Sequence, residues 1–333
     1  MKFLVIGTGS IGKRHLRNLI SIGIDPCNLS VVDTREDRRK EVVDLGINNV
    51  FPTLEASLKD DEYNAAFVCS PTNLHIKQGI ELASRGIHIM MEKPLAHNLN
   101  GIKKFVELVN RNNVVVMMAY IFRFSSLTQK VKELIDSNSI GKILYARGEF
   151  SEYLPDWHPY EDYRSFYMAE KSRGGGSILD QCHIMDLVHY LLGGFDTVFA
   201  VNTKLSSLEI NADDFAELII KLNSGIIASI HTDIFGREHK KQLEIKGETG
   251  NIIWDFYANT VTLYESETNS SRIFNKFIND FNLAYIDELN HFIACCKNQK
   301  KPLASLEDGI ETMELILSAE RSHRTGKLEK VKV

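Results

Sequence analysis

A glycine-rich hexapeptide near the N-terminus constrains the fold of this chain more than any other feature. It follows an apolar run over residues 2–6, precedes a helical pattern over 11–20, and has the G-x-G-x-x-G sequence Gly7-Thr8-Gly9-Ser10-Ile11-Gly12. Between a strand and a helix, such glycines allow a tight turn, a close approach of backbone to a pyrophosphate, and close helix–strand packing. The first N–H groups of the helix can then bind phosphate oxygens. We therefore predict that these six residues bind a dinucleotide.

The end of the second predicted strand indicates which dinucleotide binds. Asp33 closes the run 29–33 and lies 21 residues beyond Gly12. A carboxylate there accepts hydrogen bonds from the adenosine ribose hydroxyls and repels a ribose phosphate, which favours NAD over NADP. Arg35 leaves an alternative open, because its guanidinium could pair with the phosphate of NADP, stack on adenine, or be solvated at the start of the next helix. We expect NAD, with Asp33, Thr34 and Arg35 at its adenosine end.

Short apolar runs alternate with helical patterns through the first 120 residues. Strands are predicted over 2–6, 29–33, 65–69, 87–91 and 114–119, with a weaker one at 49–51, and helices over 11–20, 35–45, 74–83 and 102–110. Strands that are apolar almost throughout are typical of a parallel sheet buried on both faces. The alternation predicts a doubly wound α/β domain over residues 1–120.

The pattern changes after residue 120. Helices are predicted over 124–137 and 178–192, with a strand at 143–149 between them. From 197 to 265 strands follow one another directly, including a hairpin at Asn223-Ser224-Gly225, and this succession favours antiparallel pairing. Helices over 280–297 and 305–323 close the chain. Residues 121–333 are therefore predicted to form a substrate-binding and oligomerisation domain of the α+β class, with a large, mostly antiparallel open sheet.

Charge and cysteine content narrow the range of partners. The 333 residues include 39 basic and 44 acidic side chains, a formal net charge of -5, which argues against nucleic acid or an anionic membrane as a partner. No apolar run reaches the roughly 18 residues that a membrane span requires, and the N-terminal run is too short for a signal peptide. The five cysteines contain no C-x-x-C pair, which is typical of reduced thiols. We expect a cytoplasmic protein.

Three further motifs resemble those of the Gfo/Idh/MocA family (glucose–fructose oxidoreductase, inositol dehydrogenase, rhizopine catabolism). They are FVCSPTNLH at 67–75, GIHIMMEKPL at 86–95 and GGGSILDQCHIMD at 174–186. Tyr120 and Arg123 match the segment in which the family's chain leaves the nucleotide domain. The resemblance implies a Rossmann domain followed by an α+β domain whose open sheet often mediates oligomerisation. We expect a homodimer or homotetramer.

The resemblance also implies cofactor-binding residues beyond the glycine-rich turn, namely Ser70, Pro71, Thr72, Asn73, His75, Glu92, Lys93 and Arg123. His75 belongs to a motif beneath the nicotinamide; a helix-capping or core role is the alternative. Lys93 ends a buried strand at the edge where doubly wound sheets bind ligands. A lysine there can donate a hydrogen bond to the reacting oxygen and offset its developing charge, as the family's matching lysine does. The alternative is a lysine paired with Glu92. The bond to Pro94 could be cis, since X–Pro bonds are the usual place for that geometry.

The helical pattern over 178–192 places Asp180 inside an apolar stripe and His183 on its flank. At a spacing of three residues the two side chains can meet, and His183 has the pKa suited to moving a proton near neutrality. In the family this histidine is commonly the base and the aspartate positions substrate, although the usual spacing is four residues. The alternative is a core pair whose members satisfy each other. Asp186 falls about 120° further round the helix, away from the stripe.

An aromatic and charged segment precedes the triple glycine. Its composition without strong periodicity is typical of a loop that covers a polar ligand, and we assign substrate binding to Tyr163 and Arg164. Packing of the loop on its own domain is the alternative for Trp157 and Tyr160, and a surface position is the alternative for His158. With these residues, substrate binding is expected at Lys93, Tyr120, Arg123, Asp180 and His183. We predict no metal site, because His183, Asp186 and His189 drift around the helix instead of converging.

These residues predict an NAD-dependent dehydrogenase acting on CH–OH groups, with Lys93, Asp180 and His183 as catalytic residues. The substrate would be a sugar or a nucleotide sugar. The aromatic loop and the L-D-x-x-H-x-x-D pattern look similar to family members of bacterial surface-sugar synthesis, which favours a UDP-amino sugar. One alternative is an inositol or free-sugar dehydrogenase. Another is a non-catalytic dinucleotide-binding regulator, although a regulator has no need of a proton acceptor.

Overall fold

The computed structural model describes residues 1–157, 159, 161–278 and 281–332. The chain divides into two compact units, Met1–Ile121 with Asn282–Gly309 and Phe122–Phe281 with Ile310–Val333. The sequence-based division gave everything after residue 120 to the second domain, whereas here the segment 282–309 belongs to the first unit. Within it, the ring of Phe292 packs edge-on against Phe67 of the parallel sheet, with centroids 5.6 Å apart. A helical sequence pattern does not say which surface its apolar face will cover.

The strands of the first unit agree closely with the prediction. They are β1 (Phe3–Ile6), β2 (Leu29–Val32), β3 (Asn49–Phe51), β4 (Ala65–Val68), β5 (His88–Met91) and β6 (Val116–Met118). In the described residues these six strands form one parallel sheet in the order β3-β2-β1-β4-β5-β6. The order reverses between β1 and β4, the position at which doubly wound sheets bind dinucleotides.

The helices of the first 121 residues are α1 (Ser10–Ser21), α2 (Glu36–Val43), α3 (Leu54–Asp60), α4 (His75–Ser84) and α5 (Ile102–Arg111). Helix α3 is not predicted from the sequence, because its seven residues span only two turns and show little periodicity. Its start is nevertheless marked by an N-cap, since Thr53 Oγ1 accepts a hydrogen bond from the N–H of Ala56 at 3.2 Å.

The rest of the chain forms a larger sheet in the second unit and, over residues 282–309, returns to the first unit. In chain order it contains α6 (Ser126–Asp136), β7 (Ile143–Tyr153), α7 (Ser177–Asp180), α8 (His183–Leu192), β8 (Phe195–Thr203), β9 (Phe215–Leu222), β10 (Ile227–Asp233), β11 (Phe235–Gly247), β12 (Gly250–Asp255), β13 (Thr260–Glu265), β14 (Ser270–Phe274), α9 (Asn282–Asn298), α10 (Leu306–Thr325) and β15 (Glu329–Lys330). Among the described strands, nine pair in the order β14-β13-β12-β11-β7-β10-β9-β8-β15. Only β7 and β10 are parallel neighbours in that set, and β9 and β10 form the predicted hairpin. The predicted fold class is confirmed.

The predicted single helix over 178–192 is wrong in one respect, because it breaks into α7 and α8 at residues 181 and 182. The Gln181 side chain is buried and its Nε2 donates to the carbonyl oxygen of Asp233 at 2.9 Å. Helical hydrogen bonding resumes with the N–H of Asp186 donating to the carbonyl oxygen of Cys182 at 3.0 Å. The apolar periodicity runs through the break, so the sequence pattern does not reveal it.

One face of the large sheet is uncovered in the described residues of this unit. Helices α6, α7 and α8 pack on the other face. The uncovered face presents apolar side chains, including Phe199, Ile219, Ile253 and Ile273, which are 37–58% exposed; in β8, β9 and β12 they alternate with buried residues. Phe199 is the register partner of Ile219 across β8 and β9. Apolar patches of this kind on a sheet face commonly mark protein–protein interfaces.

We therefore predict that the protein assembles as a dimer or tetramer through this face. Light scattering at micromolar concentration should give the mass of a dimer or tetramer. Ile219→Lys should shift the mass downwards, because it would bury an unpaired charge at the interface. A monomeric parent protein would contradict the prediction.

No helix among the described residues is long and apolar enough to cross a membrane.

Candidate active site

The glycine-rich turn between β1 and α1 is shaped for a ligand phosphate. Gly7 has φ of +90°, and a Cβ there would lie 2.7 Å from the carbonyl oxygen of Cys69, while a Cβ on Gly12 would lie 2.0 Å from that of Gly7. Gly9 instead faces open space, with only the guanidinium of Arg38 at 3.8 Å. No side chain caps α1 and its first turn has no acidic residue. Bare backbone and N–H groups at this helix start fit a dinucleotide pyrophosphate.

The carboxylate of Asp33 is anchored to this turn. Its Oδ2 accepts hydrogen bonds from the N–H and Oγ1 of Thr8, both at 2.8 Å, and its Oδ1 accepts one from the N–H of Arg35 at 2.9 Å. The Arg35 side chain pairs with Asp37 at 2.5 Å and lowers the pKa of that carboxyl to about 2. Arg35 therefore already has an acidic partner, and Asp33 remains the fixed charge at the adenosine end.

We predict that NAD(H) binds at least several-fold more tightly than NADP(H). A buried carboxylate held by three donors would repel a 2′-phosphate. Fluorescence titrations with NADH and NADPH measure the difference, and Asp33→Asn should reduce it while keeping a polar group of the same size. Tighter binding of NADPH by the parent protein would show that Arg35 dominates.

Lys93 lies directly after β5, as the sequence predicts, and its bond to Pro94 is cis. Its N–H donates to Glu92 Oε2 at 3.4 Å, and Glu92 Oε1 lies 3.0 Å from Nε2 of His15 on α1. The ring of Tyr285, on α9, lies edge-on to His15 with centroids 6.3 Å apart, and burial raises the pKa of Tyr285 to about 12. Sequence reasoning missed both aromatic residues. His15 was detectable as a polar residue within the apolar face of α1, but Tyr285 comes from a segment assigned to the other domain.

The other predicted cofactor residues lie along the loop after β4. Ser70 and Pro71 are half-buried, Thr72 is buried and Asn73 is exposed. His75 is 1% exposed, and its two ring nitrogens lie 2.9 Å from the carbonyl oxygens of Ser70 and Pro94. Of the two roles considered for His75, the core position matches this geometry. Its contact with the cofactor stays a prediction.

Asp180 and His183 stand on either side of the break between α7 and α8. Asp180 is 8% exposed and accepts a hydrogen bond from the hydroxyl of Tyr167 at 2.6 Å. His183 opens α8, is partly exposed, and its ring lies edge-on to Phe122 with centroids 5.0 Å apart. Because the helix breaks between them, their spacing of three residues does not place the two side chains on one helix face. Tyr167 was not predicted as a site residue, because its segment has no helix or strand periodicity that would indicate where its side chain points.

The triple glycine fixes where α7 begins. A Cβ on Gly175 would lie 2.3 Å from the carbonyl oxygen of Met168, and one on Gly176 would lie 2.4 Å from Asp213 Oδ1. Asp213 Oδ2 accepts a hydrogen bond from the N–H of Ile178 at 3.0 Å, so this carboxylate caps α7. These contacts hold the start of α7, the helix that carries Asp180, against Asp213, which precedes β9.

Arg123 and Asp186 form a buried ion pair. Arg123 is 2% and Asp186 1% exposed, and Arg123 Nη2 donates to Asp186 Oδ1 at 2.6 Å, while Nε lies 3.1 Å from both carboxylate oxygens. Asp186 is predicted to lie away from the apolar stripe of the helix; it is nonetheless buried, and the arginine compensates the acid. Contact of Arg123 with cofactor or substrate stays a prediction. Tyr120, three residues earlier, is fully buried.

The loop residues predicted to bind substrate lie in different surroundings. Arg164 is exposed and donates to Asp162 and to Glu209, the latter at 2.7 Å, and the hydroxyl of Tyr163 accepts from the N–H of Glu209 at 3.2 Å. Trp157 packs on the apolar cluster around Leu154, Phe166, Met168, Leu208 and Ile234. His158 and Tyr160 lie outside the described residues.

The cysteines are free thiols, and one of them lies near two other possible metal ligands. None of the five cysteines forms a disulfide. In the described part of the chain, one group of metal-ligand side chains has its donor atoms within 4.8 Å of one another, and it consists of His15, Cys69 and Glu92. Burial raises the pKa of the Cys69 thiol well above its ordinary value.

Both parts of the chain match family models of known proteins. Residues 1–120 match the family model described as the oxidoreductase family with an NAD-binding Rossmann fold, GFO_IDH_MocA. Residues 128–253 match the model of the GFO/IDH/MocA C-terminal domain. The chain belongs to the Gfo/Idh/MocA family. The resemblance seen in its motifs is thus confirmed.

Relatives of this Gfo/Idh/MocA protein match it over nearly its whole length. It is 29% identical to myo-inositol 2-dehydrogenase of Thermotoga maritima, covering 99% of each chain. It is 28% identical to scyllo-inositol 2-dehydrogenase (NAD(+)) of Bacillus subtilis, covering 97% of this chain and 94% of the relative. The WlbA dehydrogenase of Bordetella pertussis, solved with NADH and UDP-GlcNAcA, has the same fold, with a TM-score of 0.86, 21% identity and coverage of 100% and 98%.

The family assignment settles the class of protein. This Gfo/Idh/MocA protein is an oxidoreductase, its first unit is an NAD-binding Rossmann domain, and NAD is its cofactor, as predicted. The glycine turn, the anchored Asp33 and the start of α1 are the residues that would hold the adenosine and pyrophosphate groups.

Proposed function

We propose that this chain is an NAD-dependent dehydrogenase that oxidises a secondary ring hydroxyl of an inositol or a free sugar. The observation that carries the proposal is the combination of an NAD-binding domain with Lys93, Asp180 and His183 in a chain matched end to end by two inositol dehydrogenases. A purely regulatory dinucleotide-binding protein would have no use for this acid–base set. NAD supplies the acceptor for the hydride that leaves the hydroxyl-bearing carbon.

His183 is the proposed general base. It lies at the start of α8, where part of its ring is exposed, and Phe122 supports one side of the ring. An imidazole is half deprotonated near neutral pH, so it can take the hydroxyl proton as the carbon–hydrogen bond breaks. Asp180, held by the hydroxyl of Tyr167, would accept a hydrogen bond from a neighbouring substrate hydroxyl. Its contact with Tyr167 fixes the direction of that carboxylate.

Lys93 is the proposed electrostatic partner of the reacting oxygen. Its backbone is set by β5 and by Glu92, which is itself bonded to His15. An ammonium group donates a hydrogen bond to the oxygen and stabilises the negative charge that grows as its proton leaves. The proton therefore goes to His183, and the charge left behind is balanced by Lys93 until the carbonyl forms.

The more specific expectation of a UDP-amino sugar has less support. At 21% identity, WlbA is similar in fold, and its ligand does not transfer with the fold. A diphosphate would need cationic groups, but Arg164 already binds two carboxylates. A nucleotide sugar is therefore retained as an arm of the test and not as the first choice.

The test measures the reduction of NAD+ with a panel of substrates, monitored through the absorbance of the reduced cofactor. The panel contains myo- and scyllo-inositol, several free aldoses, and UDP-sugars with and without a carboxylate. The His183→Ala variant, assayed in the same way, is the control for background reduction of NAD+. Turnover of an inositol or a free sugar is expected. Turnover of UDP-sugars alone would replace the proposed substrate class. NADH binding with no turnover across the panel would favour a non-catalytic regulator.

A further inference from the structure

One buried imidazole is bonded to the backbone on which Lys93 stands. His75 begins α4, directly after the loop that follows β4. Its Nδ1 lies 2.9 Å from the carbonyl oxygen of Pro94 and its Nε2 lies 2.9 Å from the carbonyl oxygen of Ser70. The ring therefore bridges the loop after β4 and the segment after β5, and the residue it meets in the latter is the immediate neighbour of Lys93.

Ser70, at the other end of the bridge, is itself fixed. Its backbone packs on the phosphate-binding turn, since a Cβ on Gly7 would lie 2.9 Å from the nitrogen of Ser70. Its Oγ donates to Gln78 Oε1 on α4 at 2.6 Å. Because Ser70 is held from two sides, the imidazole that contacts both Ser70 and Pro94 also restrains the position of Pro94. Any displacement of Pro94 would displace the Lys93 backbone.

The charge of the ring determines how strongly it holds both ends. A histidine donates at both nitrogens only as the imidazolium, whereas the neutral ring has one donor. Burial lowers the pKa of His75, while the Ser70 and Pro94 carbonyls and the Glu92 carboxylate oppose that effect and Lys93 adds to it. Even the neutral ring keeps one hydrogen bond and fills the space between the two loops.

We propose that His75 is a positioning residue for Lys93. By bridging Ser70 and Pro94, it keeps the Lys93 ammonium where it can donate to the reacting oxygen. This proposal rests on the role given to Lys93 under the proposed function. The expected loss of activity on replacing His75 follows from geometry, because a displacement of about 1 Å in a catalytic group can lower the rate on the order of 10²-fold.

The first test compares three variants with the substrate identified in the panel. His75→Phe keeps an aromatic ring and removes all hydrogen bonding by the imidazole, so kcat should fall by on the order of 10²-fold while NADH affinity stays near parental. His75→Gln keeps one side-chain donor and should retain intermediate activity. His88→Gln is the matched control: His88 is half-buried at the opposite end of β5, accepts a hydrogen bond from the N–H of Val115 at 3.0 Å, and should leave kcat unchanged. Parental kcat in His75→Phe would overturn the proposal.

A double-mutant cycle with Lys93→Met separates positioning from a general loss of structure. If His75 acts through Lys93, His75→Phe should cost no further activity once the ammonium is gone. Additive losses would overturn the proposal and leave the role of Lys93 standing. Near-parental kcat in Lys93→Met alone would refute the role of Lys93, and with it the positioning of that residue. Should His75→Phe fail to fold, His75→Gln completes the same cycle.

Discussion

Replacing His183 with alanine is expected to lower kcat by about 10²–10⁴-fold, the usual cost of losing a general base. The hydroxyl proton would then have to leave to water, and the loss would appear in the chemical step and not in cofactor binding. NADH titration should therefore give a near-parental affinity. His323→Ala, an exposed histidine near the end of α10, is the control and should not change kcat.

The pH profile gives an independent readout of the same residue. A base must be unprotonated to act, so kcat/KM of the parent should fall on the acidic side as His183 gains its proton. In His183→Ala this acidic limb should flatten. Near-parental turnover in the variant would exclude His183 as base, and Asp180 with its partner Tyr167 would become the next candidate.

Lys93→Met should lower kcat by about 10²–10³-fold, the range for removing one donor to a developing oxyanion. Methionine keeps the length of the apolar stem, so the packing of the strand end should persist while the charge is lost. Lys103→Met, on the exposed side of α5 in the same unit, removes an equal charge without an expected effect. A loss confined to KM would contradict the role, because it would show that Lys93 only binds substrate.

The combination of the two substitutions tests whether both groups serve one event. If Lys93 balances the charge that appears when His183 takes the proton, the double variant should lose less than the product of the single losses. Independent losses that multiply fully would indicate that the two residues act in separate steps. Unfolding curves for each variant exclude a common loss of fold.

The parallel sheet was predictable because each of its strands carries its own signal. A strand buried on both faces must be apolar throughout, so 2–6 and 65–69 are recognisable without knowledge of their neighbours. The glycine turn and Asp33 were predictable for a related reason, since their chemistry depends on short spacing along the chain. Lys93, Asp180 and His183 stood out by their places on a strand end and a helical pattern, and the family motifs added the roles that no periodicity could supply.

The features that escaped prediction depend on tertiary contacts. At the break after Asp180, the Gln181 side chain donates to the carbonyl oxygen of Asp233, a partner more than fifty residues away. The burial of Asp186 requires Arg123 as its counterion, and sequence spacing alone does not select one arginine among many. Likewise, nothing in residues 70–94 indicates that the His75 ring would meet two carbonyl groups. Such contacts become visible only when distant segments are brought together.

The placement of the segment 282–309 also limits how this protein can be cut or recombined. The main chain passes from one unit to the other at 121/122, 281/282 and 309/310. A fragment ending at residue 120 would lose Phe292 from Phe67 and the carbonyl oxygen of Ala304 from the N–H of Met118, leaving sheet surface that favours aggregation. Chimeras that exchange substrate specificity between relatives should therefore be spliced at all three junctions, so that α9 travels with the dinucleotide-binding half.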